Sequence, residues 1–286
     1  VSPYTFSRRQ FLQASFHAAL TVGLAGIGSL KYAYTIEPDW LKIERLALKL
    51  KRLPPAFENL HLVQISDIHV DDWMNRERLK HLAETVNALK PDVVAITGDF
   101  VNHDPARNRA MMVEAFSSLD AREGVFAVLG NHDHWTDAGV VRQVLRTSGI
   151  IELKNDIYPL ERVGQRLYLC GVDDIWEKRH DLERVIARLP AEKVCAILLA
   201  HEPDFADESA ATGRFQLQLS GHSHGGQVVV PFMRPPVLPR LGQKYHTGLY
   251  RVGDMWQYTN RGIGTVQPRV RFNCRPEITS ITLTAA

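Results

Sequence analysis

Leu60-His61-Leu62-Val63-Gln64-Ile65-Ser66-Asp67-Ile68-His69 is an apolar run that ends in an acid and a histidine two residues apart. A short apolar run bounded by polar residues reads as a strand buried on both faces. The same grammar returns twice downstream. Asp92 to Thr97 closes on Gly98-Asp99, and Val125 to Leu129 closes on Gly130-Asn131-His132-Asp133. Between these strands lie two helical patterns. Met74 to Leu89 sets Leu79, Leu82, Ala83, Val86 and Leu89 on one face, and Arg107 to Leu119 forms the second. Strands alternating with helices predict an α/β fold.

The rhythm continues with a helix at Gly139 to Thr147, strands around Tyr158 and at Leu167 to Val172, and a helix at Leu182 to Leu189. The strand Val194 to Ala200 runs into His201, and Leu217 to Ser220 runs into Gly221-His222-Ser223-His224. Shorter strand-like pieces follow at Val228 to Val230, Gly248 to Val252, Trp256 to Thr259 and Ile278 to Leu283. With no internal repeat and no long linker, residues 36–286 read as one domain. Upstream, Leu46, Leu48 and Leu50 alternate with Ala47 and Lys49, which favours a strand. The alternative is a basic amphipathic helix carrying Lys42, Arg45, Lys49 and Arg52.

In an open α/β sheet, the loops beyond the carboxyl ends of the strands converge on one crevice. Asp67, His69, Asp99, Asn131, His201, His222 and His224 are therefore expected to meet, with His132 beside them. Carboxylate, imidazole and amide donors without a thiolate suit Mn²⁺ first, with Fe²⁺ or Zn²⁺ as alternatives. The set is too large for one tetrahedral ion and divides naturally between two. Two such ions can clamp a phosphate and activate a hydroxide for direct attack on phosphorus, with no serine or cysteine nucleophile.

Composition narrows the classes. The apolar fraction of 45% and charged fraction of 23% are those of a folded domain, and a net charge of +2 gives no basic field for nucleic acid. Cys170, Cys195 and Cys274 cannot make a disulfide framework and read as buried thiols. The first 35 residues differ from the rest. Ser7-Arg8-Arg9-Gln10-Phe11-Leu12-Gln13 is a twin-arginine element, followed by an apolar, Ala- and Gly-rich stretch from Phe16 to Leu30. No Ala-x-Ala cleavage site follows Leu30, so the segment reads as an export signal or a retained membrane anchor, although about 15 residues is short for a span. The expected location is the cell envelope, periplasmic or membrane-associated, or the cytoplasmic membrane face if the segment is not an export signal.

Asp67-x-His69, Gly98-Asp99, Gly130-Asn131-His132-Asp133, His201 and Gly221-His222-x-His224 together resemble the calcineurin-like metallophosphoesterase superfamily. Gly171-Val172-Asp173-Asp174, Arg261-Gly262-Ile263-Gly264 and Cys274-Arg275-Pro276-Glu277-Ile278 extend the likeness to its YkuE/YaeI-type bacterial branch. The resemblance implies a four-layer α/β/β/α sandwich of two mixed sheets, with the dimetal site at the carboxyl ends of strands. It implies Asp67, His69 and His224 on one metal, Asn131, His201 and His222 on the other, and Asp99 bridging. His132 would contact the phosphate and assist the leaving group, with Asp133 orienting it. The implied activity is a phosphodiesterase; the alternatives are a phosphomonoesterase and a pyrophosphohydrolase of UDP-2,3-diacylglucosamine in lipid A synthesis.

Beyond this set, His103, His134 and Arg261 are candidates for substrate contact, and Asp173 for fixing a loop. Gly225-Gly226 suggests backbone room beside the metals. The five tryptophans are spread along the chain without forming an evident stacking platform. The loop Pro231 to Arg240 carries four prolines with Phe232, Met233, Val237 and Leu238. It either folds against its own domain or forms a wall that meets acyl chains or a membrane surface. A monomer acting on a small-molecule or lipid phosphoester is expected, with possible membrane-surface contact.

Overall fold

The computed structural model describes residues 8–286. The described residues open with helix α1 (Arg8–Thr35), then strands β1 (Lys42–Leu50) and β2 (Leu60–Ile65). Helix α2 (Arg76–Ala88) leads to β3 (Val93–Thr97), α3 (Pro105–Phe116) and β4 (Gly124–Val128). Two helices, α4 (Asn131–Thr136) and α5 (Ala138–Thr147), precede β5 (Ile151–Glu152). The second half holds β6 (Asp156–Arg162), β7 (Gln165–Gly171), α6 (Leu182–Arg188), β8 (Ala196–Leu199), α7 (Ala206–Ala211) and β9 (Leu217–Ser220). It closes with β10 (Gly248–Val252), β11 (Met255–Thr259) and β12 (Glu277–Ala285).

Two six-stranded mixed sheets result, in the orders β1-β12-β2-β3-β4-β5 and β10-β11-β9-β8-β7-β6. Strands β2 to β5 run parallel, as do β7, β8, β9 and β11. The C-terminal strand β12 enters the first sheet antiparallel to β2 and carries β1 parallel on its outer side. Residues 42–50 are thus a strand, with Leu48 and Leu50 buried and Arg45, Ala47 and Lys49 exposed.

Apolar alternation builds three cores. Leu62, Val93, Ala95 and Phe126 of the first sheet face Leu169, Ile197, Leu217 and Leu219 of the second. On the outer face of the first sheet, Val63, Ile65 and Val94 pack against Leu79, Leu82, Met112, Val141 and Val144 of its helices. On the outer face of the second, Cys170 and Leu198 pack against Leu182, Val185 and Ala206. The layers therefore run helix, sheet, sheet, helix. Asn75, Asp104, Asp137 and Asp181 cap α2, α3, α5 and α6 by accepting backbone N–H bonds, which places each helix start. All three cysteines are free and buried.

Two expectations change. Val228 to Val230 contributes only a single bridge, from Val228 to Phe272, because prolines follow at once. Helix α1 spans 28 residues, roughly 42 Å at 1.5 Å per residue. That exceeds the ~30 Å hydrocarbon core of a bilayer, so length is no obstacle to a span. The helix is long and apolar enough to cross a membrane, as a signal or anchoring segment is. Ser7 of the twin-arginine element lies outside the described residues.

Phe126 sits fully buried between the sheets, its ring 4.9 Å from that of Tyr158. Phe126→Ala should lower the unfolding free energy by about 3–5 kcal/mol. In urea titrations, Val163→Ala, at a position 94% exposed, should leave the midpoint in place.

Candidate metal centre

The carboxyl ends of β2, β3, β4, β8 and β9 all open on one crevice between the two sheets. Asp67 and His69 follow β2, Asp99 follows β3, Asn131 and His132 follow β4, His201 follows β8, and His222 and His224 follow β9. Side chains from both sheets interlock there. The His222 N–H donates to both Asp67 carboxylate oxygens at 2.9 and 3.0 Å, and Gln64 Nε2 donates to the Ser220 carbonyl at 2.9 Å. Asp67, His69, Asp99, His222 and His224 all have φ between +50° and +70°. Five non-glycine residues in this costly region at one crevice mark backbone strain held by the surrounding fold.

Three groups of ligand atoms lie within 4.8 Å of one another: Asp67, His69 and His224; Asp99, His201 and His222; and His69, Asp99 and His132. The first two share their neighbourhood through Asp99, whose Oδ2 is 3.5 Å from His69 Nε2 and 3.3 Å from His201 Nε2. Asn131 Oδ1 is buried with no hydrogen-bond partner. His69 Nε2 and His224 Nε2 face each other at 3.0 Å, and His224 Nε2 is 3.4 Å from Asp67 Oδ1.

Backbone carbonyls orient two of the rings. His201 Nδ1 lies 2.7 Å from the Thr97 carbonyl, and His222 Nε2 lies 2.8 Å from that of Arg240. A proton on His222 Nε2 turns its Nδ1 inward as a lone pair, while Asp99 holds His201 protonated, so a cation bound there would displace its Nε2 proton. Burial drives His69 and His222 down to about 3 and His224 well below its ordinary value, so these rings are neutral, the form that binds a cation. Burial pushes Asp67 up to about 7 and opposes the ionisation of Asp99, but the charges of His201 and His132 hold Asp99 well down. Orphaned donors and buried carboxylates at these spacings fit two divalent ions.

The remaining candidates are placed as follows. His132 is half-buried, donates its backbone N–H to Asp99 Oδ1 at 2.9 Å, and sets its ring edge-on to His69. Asp133 was expected to orient the His132 ring. Its oxygens instead accept from the backbone N–H groups of Gly130, Phe100 and Val101, so it braces the turn that carries Asn131 and His132. His134 is turned away from the crevice onto Asp173 at 2.7 Å, which Arg142 also holds. Arg261 is engaged by Glu44 and Glu277 at 2.7 and 2.6 Å. His103 is exposed.

Several features escaped the sequence. Trp135 and Trp176 meet edge to face at 5.7 Å, and each also packs on a crevice histidine, His132 and His222 respectively. Residues 41 apart in sequence leave no pattern that would announce this meeting. Buried Glu202 accepts from the Trp176 N–H at 2.7 Å and so holds that wall. Gly98, Gly130, Gly221, Gly262 and Gly264 are pressed on candidate ligands, whereas Gly225 and Gly226 make room for Cys274 and Pro235. Fully buried Arg271 donates to the carbonyls of Arg261, Gly262, Gly264 and Cys274, fixing a loop that lies against Asp67, His69 and His224.

The calcineurin-like phosphoesterase family profile matches residues 60–226. The chain is 34% identical over 280 residues to a Bacillus subtilis protein described as uncharacterized metallophosphoesterase YkuE, covering 97% of each. It is 30% identical to the Escherichia coli phosphodiesterase YaeI, covering 97% of this chain and 99% of that one. It is 31% identical to a Danio rerio transmembrane protein with metallophosphoesterase domain, over 86% of this chain and 58% of that protein. The chain belongs to the calcineurin-like phosphoesterase family. It is a metal-dependent hydrolase of that superfamily with a dinuclear metal site.

Saturating Mn²⁺ should raise the thermal midpoint, since a ligand at 100 times its Kd adds about 2.7 kcal/mol. Asp99→Ala should abolish that rise, and equilibrium dialysis should show fewer bound ions. Arg271→Met leaves the Arg261, Gly264 and Cys274 carbonyls without their donor, while the Gly262 carbonyl keeps the Glu277 N–H, and should cost roughly 3 kcal/mol in urea unfolding.

Proposed function

We propose that this protein is a phosphodiesterase that holds two Mn²⁺ ions. Asp67, His69 and His224 would hold one ion, Asn131, His201 and His222 the other, and Asp99 both. When bound, the pair supplies Lewis acidity toward phosphoryl oxygens and lowers the pKa of water. The observation that carries the diester reading is a cavity of about 370 Å³ continuous with the ligand cluster. It begins at Asp99, Asn131, His132, His222 and His224 and extends along Pro236, Val237, Val266, Pro268 and Val270. That space accommodates a second ester substituent, which a monoester lacks. The similarity to the Escherichia coli phosphodiesterase YaeI supports the same reading.

The chain's own residues divide the work. The His222 N–H and the Thr97 and Arg240 carbonyls hold Asp67 and two imidazoles in register, so no reorganisation is needed when substrate arrives. His132 stands at the cavity wall beside Asp99 and gives a proton to the departing alkoxide. Trp135 and Trp176 form an apolar flank on one side of the site. The apolar wall also favours a second reading, cleavage of UDP-2,3-diacylglucosamine at its pyrophosphate.

Turnover of bis(p-nitrophenyl) phosphate, p-nitrophenyl phosphate and UDP-2,3-diacylglucosamine should be compared with Mn²⁺ present. The diester is expected to be hydrolysed well above the monoester. Asp99→Ala should fall to the buffer rate, and His132→Ala should lose about 10²–10⁴-fold in kcat with metal content retained. Equal rates on monoester and diester would overturn the diester assignment.

A further inference from the structure

One segment serves neither the packing of the sandwich nor the metal cluster. Pro231, Pro235, Pro236 and Pro239 stiffen residues 231–239, yet Phe232 is fully exposed, Met233 is 66% exposed and Val237 74%. Of the two sequence readings, folding against the domain fails at this tip. Val237 also lines the cavity, so the exposed segment and the space that opens on the metal cluster share a wall.

What covers this surface is indicated by the neighbouring chain. The membrane-spanning-length helix α1 ends beside it. The Arg271 N–H donates to the Ala33 carbonyl at 3.0 Å, and Tyr32 packs edge-on against Phe272. Phe272 in turn accepts from the Val229 N–H at 2.8 Å, three residues before Phe232 and so within roughly 11 Å of chain. Lys31, Tyr34 and Trp40 are exposed around that helix end, the residue types that settle at a bilayer interface. Charge agrees: no acidic residue lies between Glu208 and Asp254, while Arg234 and Arg240 flank the tip, both exposed.

Resting on the phosphodiesterase reading, we propose that the Phe232-Met233 tip inserts into the lipid bilayer that α1 enters. The mouth of the cavity is thereby seated against the leaflet, and the substrate is an amphiphilic phosphodiester drawn from it. The phosphate reaches the metal cluster while the apolar part lies along Val237, Val266 and Val270. The two arginines meet anionic headgroups.

The test uses the full chain in vesicles of phosphatidylethanolamine and phosphatidylglycerol. Because the native cysteines are buried, Phe232→Cys can be labelled selectively with an environment-sensitive fluorophore. Val163→Cys is the control, on the β6–β7 turn at the opposite end of the second sheet. Spin-labelled lipid should quench the probe at 232 and spare the one at 163. Phe232→Ser with Met233→Ser should slow hydrolysis of phosphatidyl-p-nitrophenol in vesicles at least about tenfold. The same variant should keep its rate on soluble bis(p-nitrophenyl) phosphate within about twofold. No quenching at 232 overturns the proposal. So does a wild-type protein that hydrolyses the soluble diester but not the vesicle-borne one, or a vesicle rate that the double substitution leaves unchanged. Inactivity of the metal-loaded wild type on both esters would instead remove the phosphodiesterase reading, while the quenching arm still decides insertion.

Discussion

Asp67 is fully buried and Asp99 nearly so at the floor of the cavity, within a few ångströms of each other's ligand partners. Two carboxylates in such a place repel each other and lose their hydration, so the surrounding structure must supply opposing charge or donors. Here both sheets answer the demand together. Asp67 takes the His222 N–H from the second sheet, and Asp99 draws on His201 from the second sheet and the His132 N–H from the first. The sandwich therefore cannot slide at this end without stranding a charge. Gln64, buried between the sheets with its amide on Thr97 and Ser220, ties the same edges.

The strained backbone follows from the same constraint. A strand that simply continued past Ile65 or Thr97 would carry its side chains away from the partner sheet. Left-handed conformations at Asp67, His69, Asp99, His222 and His224 turn each chain sharply where the strand stops. This costs conformational energy at each residue, recovered only because the turns are locked by neighbours. Arg271 is one such lock, since its guanidinium collects the carbonyls of the loop lying over Asp67 and His69. The Asp133 carboxylate does the corresponding work under Asn131, which explains why it is spent on backbone N–H groups.

The crevice thus has a rigid polar floor and an apolar side. Trp135 and Trp176 close one flank, and the proline-bound segment from 231 to 239 extends the other toward the end of α1. The segment tucks Pro235 and Leu238 partly against the domain but leaves Phe232, Met233 and Val237 exposed. The polar floor and the apolar approach are contributed by different stretches of sequence, which allows one to vary without the other.

Much was legible in one dimension. Apolar runs ending in Asp, His or Asn located β2, β3, β4, β8 and β9 to within a residue or two. The side chains after them are those the crevice gathers, because strand ends in a sheet converge wherever the strands are parallel. Apolar periodicity placed the helices to within two or three residues, and the structure adds the Asx side chains that fix their starts. What depended on distant pairs was not legible. That His134 binds Asp173, that Arg261 is taken by Glu44 and Glu277, and that two tryptophans 41 residues apart share a wall are outcomes of how the two sheets face each other. Strand identity is set by neighbours along the chain, whereas the partner of an exposed-looking polar or aromatic side chain is set by whichever element the packed layers bring within a few ångströms.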